Sequence, residues 1–272
     1  MDRTAAFGGC GSGADRCARG VYPGMLTDLL GYLLRIAPGL TLVTGCLLLT
    51  RRQRDPLLSI VLLILGFVLI RDAMTPLGLW RLGTVGGLAP WLRFSTDTAL
   101  LAALGVATLA LTATVLAGDR RLRALVPRQR PDLAGVGLGI AGAALAAGPV
   151  LAIASHWPPV DRGGTVAHSA IPVILFFCLA GNLFEEVLFR GLLQSRLAQL
   201  TSPVRAALLS GLFFGACHSF LASTVTDLGW PLLAFTAWEG LVCAFLRLRH
   251  GLTPAVLAHG LAIAALATGL PW

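Results

Sequence analysis

An all-α fold, a polytopic bundle of about eight transmembrane helices, is predicted by three observations. Of 272 residues, 56% are hydrophobic and only 12% are charged, about half the charge of a soluble domain. The mean hydropathy is +0.79. The charges that remain fall mostly in short connections between apolar stretches of membrane-spanning length. The basic excess is all arginine, since the chain has no lysine, and its placement in loops is the positive-inside pattern. A nucleic-acid partner is rejected on that ground, and the lipid bilayer is the surrounding the composition asks for.

Residues 1–22 form a polar, Gly-rich N-terminal tail without the apolar core of a secretory signal peptide. Cys10 and Cys17 share this tail and would suit a disulfide if it is extracytoplasmic. Spans are expected at 26–50, 56–72, 95–118, 133–155, 170–190, 204–225, 230–247 and 252–270. The second is the weakest, because Arg71 and Asp72 cut its apolar run short. Pro56, Pro203, Pro231 and Pro254 stand at or near span starts, where a missing N–H costs nothing. Cys46, Cys178, Cys217 and Cys243 lie in apolar stretches and read as small core residues. This divides the chain into the tail, N-terminal transmembrane helices over 23–169, and a C-terminal core over 170–272 that holds the chemistry.

Thirteen arginines lie in the connections after spans one, three, five and seven, against seven on the opposite side. The bias predicts a cytoplasmic 119–132 loop and extracytoplasmic termini, in a bacterial plasma membrane.

The chain's three glutamates, Glu185, Glu186 and Glu239, all fall within predicted spans of the C-terminal half. Ionisable groups in a membrane are costly and usually mark a site. Glu186 and Arg190 are four apart, hence on one helix face, and read mainly as a structural ion pair. Glu185 points about 100° away from Glu186 and lacks that partner. An unpaired carboxylate in low dielectric is a stronger base, as water activation near neutrality requires. His218 and His259 sit in two following apolar spans, whereas His156, His168 and His250 fall in loops and read as surface residues. Glu239 reads as a substrate-pathway acid or a buried, hydrogen-bonded group, with the second favoured. Measured along the helix, Glu185 and His259 lie about 8 Å and 10 Å from the arginine-rich ends of their spans, and His218 about 20 Å. One cavity open to the cytoplasm would need the sixth helix to tilt or start late.

Phe184-Glu185-Glu186-Val-Leu-Phe-Arg190-Gly191 resembles the EExxxR motif of the CAAX prenyl-protease/Abi (CPBP) family of intramembrane endopeptidases. Phe214-Gly-Ala-Cys-His218 resembles its second motif, and Gly251-Leu-Thr-Pro254 with His259 resembles the approach to its third, HxxxN/D. The resemblance covers about residues 170–270. It implies hydrolysis of a peptide bond in a membrane-associated peptide or protein substrate. Glu185 activates water with help from His218, His259 binds water or the oxyanion, and Glu186 and Arg190 support the first motif. The sequence departs from the pattern at Ile263, where Asn or Asp is expected. Asn182, one turn before Glu186, stands where it could compensate. Glu185, His218 and His259 match the ligand set of a catalytic zinc as well as a metal-free glutamic site, and both stay open with a lean to the second. A weakly active or inactive member acting as a membrane maturation or binding partner is the alternative function. A proton-coupled transporter is disfavoured because the first four spans carry no comparable acids.

Overall fold

The computed structural model describes residues 23–50, 55–75, 78–127 and 132–269; the tail cysteines and Gln129 lie outside them. Ten helices and one β-hairpin follow in order. They are α1 (Pro23–Thr50), α2 (Leu57–Met74), β1 (Trp80–Val85), β2 (Ala89–Phe94), α3 (Thr98–Gly118) and the short α4 (Arg120–Leu125), then α5 (Leu133–Ala154). After a loop with two 3₁₀ turns come α6 (Ile171–Glu186), a π-helical stretch over Val187–Leu193 and α7 (Gln194–Leu200), which together make one continuous rod. α8 (Pro203–Ala216), a second π-helical turn over Leu221–Val225, α9 (Trp230–His250) and α10 (Leu252–Thr268) complete the bundle.

Six helical segments among the described residues are long and apolar enough to cross a membrane, so the chain is an integral multi-pass membrane protein. Each of the six falls on an expected span. The two remaining spans are helices too: α2, which carries Arg71 and Asp72 near its end, and the shorter apolar α10. Large apolar side chains on α1, α5 and α8 are exposed, as lipid-facing surfaces require.

Two features depart from the expected layout. The fifth span does not stop near residue 190 but continues to Leu200. Its charge is accommodated, since Arg196 pairs with Asp55 at the start of α2, at 2.9 Å. The connection between α2 and α3 is an antiparallel hairpin, with Val85 opposite Ala89 and Trp80 opposite Phe94. Gly86 and Gly87 both adopt positive φ in its tight loop, a conformation glycine adopts without strain. The hairpin is locked to the bundle by Arg93. Its Nη1 donates to the carbonyls of Leu266 and Ala267 at the C-terminal end of α10, at 2.7 and 3.3 Å, and its Nε to Gly164 O at 3.1 Å. Helix-end carbonyls lack intrahelical donors, so the guanidinium satisfies them.

The core is densest around the π-helical stretch, where Phe184, Val187, Phe189, Leu192 and Phe214 pack with Ile60 and Ile64 of α2. α8 and α9 touch backbone to backbone. A Cβ at Gly240 would lie 2.6 Å from Gly211 O, and one at Gly215 2.9 Å from Ala237. Small residues facing each other are the usual device for close helix packing in lipid, where apolar burial offers no net drive.

Candidate active site

Glu186 sits at the last turn of α6, where the rod widens into its π-helical stretch. Such insertions re-aim side chains and recur at functional sites. Glu186 Oε1 and Arg190 Nη1 form an ion pair at 2.8 Å, and both side chains are fully buried. The predicted pair therefore exists, and it is shared: His259 Nδ1 of α10 approaches the same oxygen at 2.9 Å. Arg190 Nη2 donates to Gly240 O of α9 at 2.8 Å, and its guanidinium lies 4.5 Å from the Phe214 ring centroid. One glutamate thus ties α6 to α10, and its arginine ties both to α9.

With Nδ1 fixed by Glu186, His259 presents Nε2 on the other side, where Glu239 Oε2 is 3.6 Å away. Glu239 is buried as expected, but its Oε1 has no hydrogen-bond partner among the described residues. It is thus a neighbour of the second histidine rather than a satisfied structural group.

His218 lies just beyond the end of α8, in the break before the second π-helical turn. Its Nδ1 is 2.8 Å from Phe214 O, the backbone carbonyl one turn back. Its Nε2 is 2.9 Å from Arg71 Nη1, a residue of α2 that belongs to none of the three motifs. Glu185 is partly exposed to the interior cavity, and its Oε2 is buried without a hydrogen-bond partner. The split read from the sequence, with Glu186 paired and Glu185 left unpaired, is what the side chains show.

Glu185, His218, His259, Asn182, Ile263 and Arg71 all line one cavity of about 380 Å³. Its wall is completed by hairpin residues, including Trp80, Trp91 and Phe94. The end of α2, the first half of α9 and His259, Ile263 and Leu266 of α10 contribute on the hairpin side, and α6 contributes from Phe177 to Glu185. Among the described residues, Arg120, Arg121 and Arg123 after α3, and Arg247 and Arg249 at the end of α9, lie at the opposite ends of their helices. The cavity thus lies on the hairpin side of the bundle, where His218 also sits.

A zinc ion does not fit this arrangement. The guanidinium of Arg71 lies at His218 Nε2, the nitrogen that would face a metal. Among the described residues no three His, Cys, Asp or Glu side chains are grouped to hold an ion.

Of the residues singled out from the sequence, the structure brings Glu185, Glu186, Arg190, His218 and His259 to one place. His156, His168 and His250 are exposed and remote from the cavity lining. Cys178 and Cys243 are buried free thiols, as expected of core residues. Two participants were missed. Arg71 was read only as a flaw in an apolar run, although a charge inside a span is itself the signal. Glu239 was the third of only three glutamates, which was the other available clue.

Residues 167–264 match the family model described as Rce1-like, type II CAAX prenyl endopeptidase. The matched stretch contains all three motifs and agrees with the resemblance they carry. No curated protein and no solved structure matches the chain.

Proposed function

We propose that this protein is an intramembrane endopeptidase of the CAAX-protease type in which Glu185 is the general base. The observation that carries the reading is the unpartnered Glu185 carboxylate in a bundle cavity shared with both motif histidines. Glu185 takes a proton from water, and the resulting hydroxide oxygen bonds to the carbonyl carbon of the scissile peptide. The carbonyl oxygen becomes an oxyanion. Collapse of that intermediate breaks the C–N bond, and the proton held by Glu185 passes to the leaving nitrogen. His259, oriented by Glu186, presents Nε2 to water or substrate in the cavity. Glu186 and Arg190 act as the frame that holds α6, α9 and α10 around this chemistry.

Taken with the arginine bias, the hairpin-side position of the cavity favours substrate entry from the extracytoplasmic face. That favours a membrane-anchored or exported peptide segment over a cytoplasmic prenylated C-terminus. Cysteines introduced at Leu88 in the hairpin loop and at Ala124 in α4 test this. Labelling of Leu88→Cys, and not of Ala124→Cys, by an impermeant maleimide on intact cells is expected. The reverse pattern overturns the outward-facing site.

The activity itself is tested by comparing the membrane proteomes of cells carrying the wild type and Glu185→Gln. Accumulation of an uncleaved precursor with the variant is expected. Identical proteomes with both proteins folded would refute the protease reading. They would favour the second one, a weakly active binding or maturation partner, which the isoleucine at position 263 recommends.

A further inference from the structure

The cavity holds a guanidinium from outside the motifs and outside residues 167–264. Arg71 is fixed on three sides. Its Nε donates to Asp72 Oδ1 at 2.8 Å, its Nη2 to Cys217 O at 2.9 Å, and its Nη1 lies 2.9 Å from His218 Nε2. A guanidinium has no lone pair to offer, so His218 Nε2 is the acceptor and Nδ1 carries the hydrogen donated to Phe214 O. Both imidazole nitrogens are then engaged, and the ring cannot take a proton from water while it holds Arg71. His218 thus acts as a positioning residue for the arginine, and the assistance to Glu185 expected of it passes to the group it holds.

Arg71 has five N–H donors, of which these contacts use three. One hydrogen remains on each terminal nitrogen, in a side chain that lines the cavity with Glu185 and Ile263. Ile263 lies one turn beyond His259, where the resemblance calls for a polar oxyanion donor, and its side chain has nothing to donate. An oxyanion needs a donor fixed before the reaction begins. A charged fork held by a carboxylate, a carbonyl and an imidazole meets that need better than a neutral amide. The packing keeps it there: Phe67, one turn earlier on α2, stands edge-on to Phe184, the residue before Glu185, at 5.7 Å.

We propose that Arg71 is a catalytic residue, the oxyanion donor of this site, supplied by the N-terminal helices in place of the missing Asn or Asp. The inference rests on the endopeptidase reading. It is tested on full-length protein in proteoliposomes, with a quenched fluorescent peptide built from the precursor that accumulates with Glu185→Gln. Arg71→Ala alone would strand the buried Asp72, so the informative variants are Arg71→Lys and the pair Arg71→Gln with Asp72→Asn. The double variant is expected to lose about 10²–10³ in kcat, with KM changed only a few-fold. Arg71→Lys should fall between it and the wild type. Adding Ile263→Asn to the double variant should restore kcat at least about tenfold. A purely structural arginine predicts reduced folded yield with no rescue by Ile263→Asn, and that outcome overturns the proposal. Wild-type kcat in folded Arg71 variants overturns it while leaving the protease reading intact. Absence of any precursor, or of cleavage by the wild type, removes both.

Discussion

Helices α1 and α9 are both long and apolar enough to span a bilayer, yet they meet different surroundings. Of the apolar window Leu33–Thr50 in α1, 11% is buried within the protein; of Trp230–His250, 50%. From α3 onward hydropathy runs against burial: α3 has 2.2 and is 17% buried, while α9 has 1.4 and the segment through α8 has 1.5, each 50% buried; α1, at 1.7 and 11%, stands outside that trend. A helix facing lipid must be apolar all round, since each exposed polar group is costly there. A helix enclosed by others can carry Glu239, Ser210 or His259, because neighbours supply partners. From α3 onward the less hydrophobic spans are the interior ones, and they hold the candidate site. Arg71, like Arg93 of the hairpin, joins the two regions as a polar group of the N-terminal half with partners in the C-terminal one.

The contrast predicts where substitutions should matter. The largest effect belongs to Glu185→Gln, which removes the proposed base while keeping shape. Cleavage is expected to fall by about 10²–10⁴, with folded yield unchanged, measured as rate per folded molecule. An equal loss of yield would make Glu185 a structural residue and erase its distinction from Glu186.

Next in size are Glu186→Gln and Arg190→Ala. Each leaves a fully buried charge without its partner, at about 3–5 kcal/mol, so folded yield should drop sharply. Fluorescence-detected size exclusion checks this. Gly211→Leu belongs beside them, because its side chain would run into the α9 backbone at Gly240. The lipid-facing counterparts Leu34→Ala and Leu49→Ala on α1 are exposed and should stay within about 0.5 kcal/mol of wild type. A comparable loss there would show that α1 packs against something other than lipid.

The smallest effect sharpens the comparison at the arginine-rich end. Hydrogen bonds from Arg196 hold the Asp55 carboxyl down, from an ordinary 3.8 to about 2. Because the folded value is depressed, the pairing favours the folded state above pH 3.8, and this contribution is lost as pH falls toward 2. Asp55→Asn should flatten that part of the stability profile, with little change near neutrality, since an exposed pair is worth little. Thermal melts of the two proteins between pH 2 and 5 are the measurement.

Composition and periodicity were enough for the membrane, the helices and most of the site. Apolar runs of spanning length can only be helices or barrel strands in lipid, and uninterrupted apolarity excludes the strand alternation. Three glutamates and two histidines inside such runs are conspicuous because burial of ionisable groups is costly. The four-residue spacing of Glu186 and Arg190 settled their pairing, because a helix brings those positions together wherever it lies. What the tertiary structure decided concerns partners from different helices, about which local spacing carries no information. It placed Glu186 between Arg190 and His259, set Glu239 beside the same imidazole, and brought Arg71 to His218 across 147 residues of chain. It also decided which end of the bundle is hollow. Helix depth measured from one end cannot locate a void, since a void is made by the side chains that several helices and a hairpin leave unfilled between them.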